Sequence, residues 1–392
     1  MHGPLTVLAG LLPFTSAQLD IYAKKAGLKY FGAATDSPGQ RERAGLEASY
    51  AQYDAILRDG NEFGSTTATN GQKWLFTEPE QGVFNFTEGD IVTSIAQEQG
   101  LIQRCHALVW HSQLAPWVDN ATAEWTPEAL SAVIVEHVTN VMEHYRGKCY
   151  AWDVVNEALD EDGTYRDSVF SRVLGGEEFI KLAFRTAAAV EPEVKLYYND
   201  YNIEKPSPKS DGVLRIVRML QEDGIKIDGV GLQAHLVASR PPTLDEQIAT
   251  INSYGALGVE VAYTELDVRQ NTPVNETSLE WQANAYKDVS TKKSITEGDH
   301  STDLTQSYSS QAVGACVQAE SCIGITIWDF YDPFSWVPYT FPGEGAALLW
   351  FEDFTKHPAY DASIEAMKNG TVSPCKRKER RRAQIGARSA AL

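Results

Sequence analysis

Glu157 and Glu265 are the residues whose surroundings most suggest chemistry. The first closes the run Trp152-Asp153-Val154-Val155-Asn156-Glu157, and the second lies within Val259-Glu260-Val261-Ala262-Tyr263-Thr264-Glu265-Leu266-Asp267. A carboxyl at the C-terminal end of each of two parallel strands can face its twin across a cleft. Cleavage of a glycosidic bond needs such a pair: one carboxyl protonates the leaving oxygen, and the other attacks carbon or activates water. Two ordinary exposed glutamates are the competing reading, and the flanking residues argue against it. Asn156 beside Glu157 could hydrogen-bond a sugar 2-hydroxyl as oxocarbenium character develops. Asp267 lies two residues past Glu265, so continued extended geometry points both to one side of the strand. His235, from the preceding strand with Gln233 two residues before it, would complete an Asp-His-Glu chain that orients Glu265 and favours its ionised form. Glu157 is therefore read as general acid/base, Glu265 as nucleophile, and His235 and Asp267 as the residues that orient the nucleophile.

Short apolar runs position these groups. They are Tyr30-Phe31-Gly32, Glu62-Phe63-Gly64-Ser65, Leu101 to Trp110, Tyr150 to Val155, Lys195-Leu196-Tyr197-Tyr198, Gly229 to Gln233, Val259 to Thr264 and Ile323 to Trp328. Helix-length stretches separate them. Leu130, Val133, Ile134, Val138, Val141 and Met142 form an apolar stripe opened by Thr126-Pro127-Glu128, a helix start. Phe179, Leu182, Ala183 and Thr186 begin another, and Val213 to Leu220 a third. Eight strand–helix units predict an α/β fold, a single-domain (β/α)8 barrel whose active site lies at the C-terminal mouths of the strands. An open doubly wound sheet would more often carry a glycine fingerprint after its first strand, and none appears.

The expected tips are Asn70 with Lys73 and Trp74, His106, His111, Asn156 with Glu157, Asn199 with Tyr201, Gln233 with His235, Glu265 with Asp267, and Trp328. Trp110, Trp117, Trp328 and Trp336 could stack on the apolar faces of pyranose rings, whereas Trp152, inside a strand, reads as core. The histidines lack zinc-like spacing, so neither a metal site nor a cofactor is expected.

The whole chain bounds the reading further. It has 392 residues, 43% hydrophobic and 10% aromatic, with a formal charge of −19. That charge argues against nucleic acid and anionic membranes as partners and suits a neutral polysaccharide. The apolar stretch Leu5 to Leu12 followed by Pro13 and Thr15-Ser16-Ala17 reads as a signal peptide over residues 1–17. Residues 18–368 then form the barrel, and 369–392, with Lys376-Arg377-Lys378 and Arg380-Arg381-Arg382, a basic solvated tail. Sequons at Asn85, Asn120, Asn275 and Asn369 agree with export. Cys316 and Cys322 are the expected disulfide. Cys105 and Cys149 could pair or remain buried thiols, and Cys375 is left over.

The blocks Lys73-Trp74 with Glu78-Pro79, His106 to Gln113, Trp152 to Glu157, Tyr198-Asn199-Asp200-Tyr201-Asn202, Gly231 to His235, Thr264 to Asp267, and Trp328 with Trp336 carry a resemblance. Together they resemble glycoside hydrolase family 10, the endo-β-1,4-xylanases, and especially its secreted fungal members. The resemblance implies a (β/α)8 barrel, retention of configuration, and sugar subsites lined by Asn70, Lys73, His111, Gln113, Trp117, Tyr201, Gln233, Trp328 and Trp336. It implies a secreted, monomeric xylan hydrolase. A tomatinase-like saponin glycosidase and a non-catalytic carbohydrate-binding barrel are the alternatives. The chain also departs from the family pattern Thr-Pro-Glu-Asn-x-Met-Lys-Trp, reading Thr67-Ala68-Thr69-Asn70-Gly71-Gln72-Lys73-Trp74. Thr69 and Gln72 thus replace a sugar-binding glutamate and a methionine, a loss expected to weaken glycone binding by roughly 1.5–3 kcal/mol. Asp329, Phe330 and Pro333 depart in the last loop.

Overall fold

The computed structural model describes residues 18–36, 47–119, 125–287 and 312–370. The signal-peptide reading, the Asn120 sequon, Cys375 and the basic run lie outside the described residues. The strands are β1 (Tyr30–Thr35), β2 (Ser65–Ala68), β3 (Ile102–Trp110), β4 (Ala151–Asn156), β5 (Lys195–Asp200), β6 (Gly229–Leu232), β7 (His235–Val237), β8 (Glu260–Asn271), β9 (Cys322–Ile327) and β10 (Glu344–Gly345). Eight of them pair in parallel in the order β1-β2-β3-β4-β5-β6-β8-β9, and β9 returns to β1, closing the barrel. Short β7 runs parallel to the outer half of β8, and β10 antiparallel to its end.

The expected runs correspond to these eight strands with two informative shifts. The second strand begins at Ser65, later than Glu62, because the Glu62 and Phe63 amides both donate to Asp59 O in a turn, at 2.8 and 3.0 Å. The seventh run continues to Asn271 through Glu265, Asp267 and Arg269. Its polar residues read as a tip, yet pairing with β7, β9 and β10 keeps this backbone extended. The barrel interior is filled by large side chains. Tyr197 packs its ring where a Cβ on Gly229 would stand 2.3 Å away, and Tyr30 does the same to Gly324 at 2.6 Å. Glycine at those positions is therefore a packing requirement.

The outer helices follow the apolar spacing. Pro127–His144 starts at Thr126, whose side chain accepts from the Ala129 amide, with proline at the first turn. Its stripe of Leu130, Val133, Ile134, Val138, Val141 and Met142 is buried against the barrel. Each such residue contributes about 1.5–3 kcal/mol. Ile134→Ala would cost roughly 2–5 kcal/mol. Pro208–Glu222 opens with a Ser207–Ser210 capping box and buries Val213, Ile216, Val217 and Leu220. Both candidate cysteine pairs form disulfides. Cys316–Cys322 links the Ala312–Gln318 helix to β9, and Cys105–Cys149 links β3 to the approach of β4, with Cα separations of 5.0 and 5.8 Å.

Candidate active site

The strand ends open into one large cleft holding Glu157 and Glu265 together with Asn70, Lys73, Gln113, Asn156, Tyr201, Gln233, His235, Trp328 and Trp336. The backbone at its floor is unusual. Among the described residues, four of the non-glycine residues with positive φ line this cleft: Gln113 (46°), Glu157 (57°), Asn202 (56°) and Asp329 (71°). Such conformations cost free energy and persist where surrounding contacts hold them, commonly at functional sites.

Glu265 sits on extended β8 and is 5% exposed. Asn199 Nδ2 donates to its Oε1 at 2.7 Å, and His235 Nε2 lies 3.3 Å from its Oε2. The other ring nitrogen of His235 is 2.8 Å from Asp267 Oδ2, which also accepts from Trp336 Nε1 at 2.7 Å. The Asp267–His235–Glu265 chain expected from spacing is thus formed, with Trp336 as an additional member. Burial opposes ionisation of Glu265, but His106, His235 and Lys73 together outweigh it and hold the carboxyl down at about 2. Burial likewise works against the His235 cation, yet Asp267 and Glu265 on either side push its value up to about 10.

Glu157 is held differently. β4 ends at Asn156, and the φ of 57° at Glu157 turns the chain out of the strand. Its amide donates to Asn199 O at 2.9 Å, and its carbonyl accepts from Arg166 Nε at 3.0 Å. Gln233 Nε2 donates to the Glu157 carboxyl at 2.9 Å. Asn156 lies between Asn199 and Gln233, its amide oxygen 2.9 and 3.2 Å from their side-chain nitrogens. Gln233 and His235 do not share one side of a continuous strand. Ala234 has φ 60°, its amide donates to Glu204 Oε1 at 2.8 Å, and the chain turns between them. Gln233 therefore serves Glu157, whereas His235 serves Glu265.

Around this pair, Arg166 Nη2 donates to Tyr201 Oη at 2.8 Å, and Lys209 Nζ lies 3.4 Å from the Tyr201 ring centroid. Lys209 pairs with buried Asp200 at 3.0 Å, and burial pushes Asp200 up to about 7. Arg104 and His106, both buried, bracket Asp153 at 2.6 and 3.0 Å below the site. Arg166 carries no pattern in the sequence, since it follows a loop. Arg104 and Asp153 could have been suspected as opposite charges inside adjacent apolar strands.

Beside Glu265 in the cleft, Lys73 Nζ donates to Gln113 Oε1 at 2.7 Å and to Asn70 Oδ1 at 3.3 Å. It also stands 4.7 Å from the Trp110 ring centroid. Asp36 accepts from the Asn70 backbone amide at 2.9 Å and from its side chain. Thr69 lines the cleft, but Gln72 does not: fully buried, it contacts Cys105 Sγ and accepts from the His106 amide at 3.2 Å.

His111 lines a small recess that shares Trp110, Asn156 and Glu157 with this cleft, and Trp117 stands in the wall beyond it. Trp117 donates to Glu78 O at 3.1 Å and meets Trp74 and Trp125 edge-on, so it braces the wall. Burial lowers the His111 value, and its Nδ1 has no partner among the described residues. Trp152 is fully buried, as read from its place in the strand. Of the last-loop departures, Asp329 accepts from the Phe330 and Tyr331 amides, while Phe330 stacks on Tyr53 within the core. No group of three or more His, Cys, Asp or Glu side chains among the described residues could hold a metal ion.

Comparison with known proteins agrees with this geometry. The family model for "Glycosyl hydrolase family 10" matches residues 18–366. Endo-1,4-beta-xylanase A of Humicola insolens is 63% identical over 353 residues, covering 90% of this chain and 87% of that protein. Endo-1,4-beta-xylanase 1 of Gibberella zeae is 43% identical over 357 residues, covering 89% and 91%. Among solved structures, the Penicillium canescens endo-1,4-beta-xylanase XylE matches with a TM-score of 0.79 and 38% identity, covering 92% of this chain and 99% of that one. The GH10 xylanase from Bispora sp. MEY-1 with xylobiose matches at 0.78 and 38%, covering 89% and 99%. A closed barrel, a cleft with two carboxyls at its strand ends, and a family match across nearly all described residues lead to one assignment: the chain belongs to glycosyl hydrolase family 10.

Proposed function

We propose that this protein is a secreted endo-1,4-β-xylanase that cleaves xylan with retention of configuration. The observation that carries the reading is the unlike treatment of the two carboxyls. Glu265 is buried, cradled by Asn199 and His235 and held ionised, which suits a nucleophile. Glu157 projects from a turn into the open cleft, bridged by Gln233, which suits a group that gives and takes a proton. In the first step Glu265 attacks the anomeric carbon while Glu157 protonates the leaving oxygen. In the second, Glu157 takes a proton from water, which displaces Glu265. His235 and Asp267 position the nucleophile. Asn70, Lys73, Gln113, Asn156, Tyr201, Gln233, Trp328 and Trp336 are assigned to sugar binding. The same role is assigned to His111, which shares a small recess with Trp110, Asn156 and Glu157, and to Trp117, in the adjoining wall.

Export is inferred from the apolar N-terminal stretch and from two disulfides, which persist in oxidising compartments. Asn85, Asn275 and Asn369 are all exposed, as glycan acceptors must be. The relatives above are xylanases by name, which does not favour the saponin-directed alternative. Nor does a preserved carboxyl pair favour a non-catalytic barrel. The deciding experiment follows xylohexaose hydrolysis by NMR. The β-anomer should appear first at the new reducing end; initial release of the α-anomer would overturn the retaining mechanism, and an inert oligosaccharide the xylanase reading.

A further inference from the structure

Beyond the cleft, one surface feature stands apart. Among the described residues, Trp281 is the only tryptophan counted among the exposed large hydrophobic side chains, at 49%. It lies on the helix Glu276–Tyr286, whose N-cap is Asn275, the first residue of the sequon Asn275-Glu276-Thr277. Thr277 and Trp281 are four residues apart and share a helix face. A long side chain on a helix leans toward the N-terminus, over the preceding turn. Trp281 therefore covers the turn that leads back to Asn275, and Asn275, Glu276, Thr277, Ser278 and Trp281 together line one shallow recess.

The Asn275 amide is also oriented for modification. Its Oδ1 accepts from the Ser278 backbone amide at 2.9 Å, and its backbone N–H donates to Ser278 Oγ at 3.1 Å. These bonds leave Nδ2, the atom a glycan is built on, uncommitted among the described residues, and the residue is exposed. A glycan added there emerges beside an indole face, and pyranose rings present apolar C–H faces to aromatic planes.

We propose that Asn275 carries an N-linked glycan whose inner sugars lie over Trp281. In the modification, Nδ2 bonds to C1 of the transferred N-acetylglucosamine. The C1–oxygen bond to the lipid pyrophosphate donor breaks, and the amide proton leaves with that pyrophosphate. The helix cap survives, because only Oδ1 and the backbone N–H make it. The glycan then covers the exposed indole.

The test uses the full-length chain secreted from a yeast. Tryptic peptides report occupancy of Asn275 by mass spectrometry, and hydroxyl-radical footprinting reports oxidation of Trp281. Occupied protein should show Trp281 oxidation at least about threefold lower than Thr277→Val, which removes the sequon. Asn275→Asp keeps a good N-cap and removes the sugar, so it should match Thr277→Val in oxidation and wild type in helix content. Trimming to a single N-acetylglucosamine with an endoglycosidase should retain part of the protection. An unoccupied Asn275 in the secreted protein, or equal oxidation of Trp281 with and without glycan, overturns the proposal. Neither readout depends on xylan hydrolysis.

Discussion

The ends of β4 and β8 each present a glutamate to the same cleft, and they do so by opposite means. β8 runs extended for 12 residues, so Glu265 and Asp267 project to one side and share His235 between them. β4 stops at Asn156, and Glu157 occupies a left-handed turn secured through its backbone by Asn199 and Arg166. One carboxyl is fixed through its side chain by charges; the other is fixed through its main chain, leaving its carboxyl with lighter contacts. A nucleophile must be ionised to attack and must leave again as a carboxylate when the covalent intermediate breaks down, so fixed cations are useful to it. An acid/base must change charge twice per turnover, and cations that froze its state would obstruct that.

Removing the carboxyls should break this comparison most visibly. Glu265→Ala should lower xylan hydrolysis by roughly 10⁴-fold or more, whatever the leaving group, because no covalent intermediate forms. Glu157→Ala should lose about 10²–10⁴-fold on xylan. With an activated dinitrophenyl glycoside, whose departure needs no proton, its first step should be nearly intact, and azide should rescue the second. Steady-state and burst kinetics on both substrates check this. Equal losses for Glu157→Ala on the two substrates would mean that the roles are assigned wrongly.

His235 sharpens the comparison because its effect should fall on one carboxyl only. The value for Glu265 is depressed from 4.5 to about 2, so its contribution to stability is present above pH 4.5 and is lost as pH falls through 2. That for His235 is raised from 6.5 to about 10, so its contribution is complete below pH 6.5 and is lost as pH rises through 10. The stability difference between wild type and His235→Gln should therefore be greatest between pH 4.5 and 6.5. Breaking a buried pair of this kind costs about 3–5 kcal/mol. Urea unfolding across a pH series measures it. The same variant should move the acidic limb of kcat/KM upward, because Glu265 loses a cation. A flat difference across the range would remove the electrostatic role of His235.

Much of this arrangement could be read from the chain alone, for definite reasons. Buried parallel strands need apolar runs, so seven of the eight were visible as such; β2, Ser-Thr-Thr-Ala, is polar in sequence and meets the expected run only at Ser65. The Asp267–His235–Glu265 chain followed from two-residue alternation on an extended strand. What was hidden depends on turns and on long-range contacts. The φ of 60° at Ala234 separates Gln233 from His235, and nothing in Gln-Ala-His signals it. Arg166 reaches the Glu157 carbonyl from a loop, and Asp36 reaches Asn70 from the end of β1; neither contact has a local pattern. Trp117 braces the wall through its indole N–H on Glu78 O and its edge contacts with Trp74 and Trp125, contacts that no local pattern signals.

The smallest predicted effect lies around Asn70, where Thr69 and Gln72 depart from the family pattern. Gln72 and Thr69 stood together as possible causes of altered sugar binding. Their positions separate them, since Gln72 is buried against Cys105 and the His106 amide while Thr69 faces the cleft. Gln72→Met should therefore alter stability, through the orphaned His106 amide, more than substrate affinity. Thr69→Glu would restore a charged acceptor near Lys73 and Asn70. A charge-assisted hydrogen bond is worth roughly 1.5–3 kcal/mol, so kcat/KM on short xylo-oligosaccharides should rise by up to about 10–100-fold. On long xylan, where other subsites already secure the chain, the gain should be much smaller. Comparing xylotriose with polymeric xylan separates the two. An equal gain on both would place the effect at the reacting centre, and the contrast between sugar-binding and reacting groups would then dissolve.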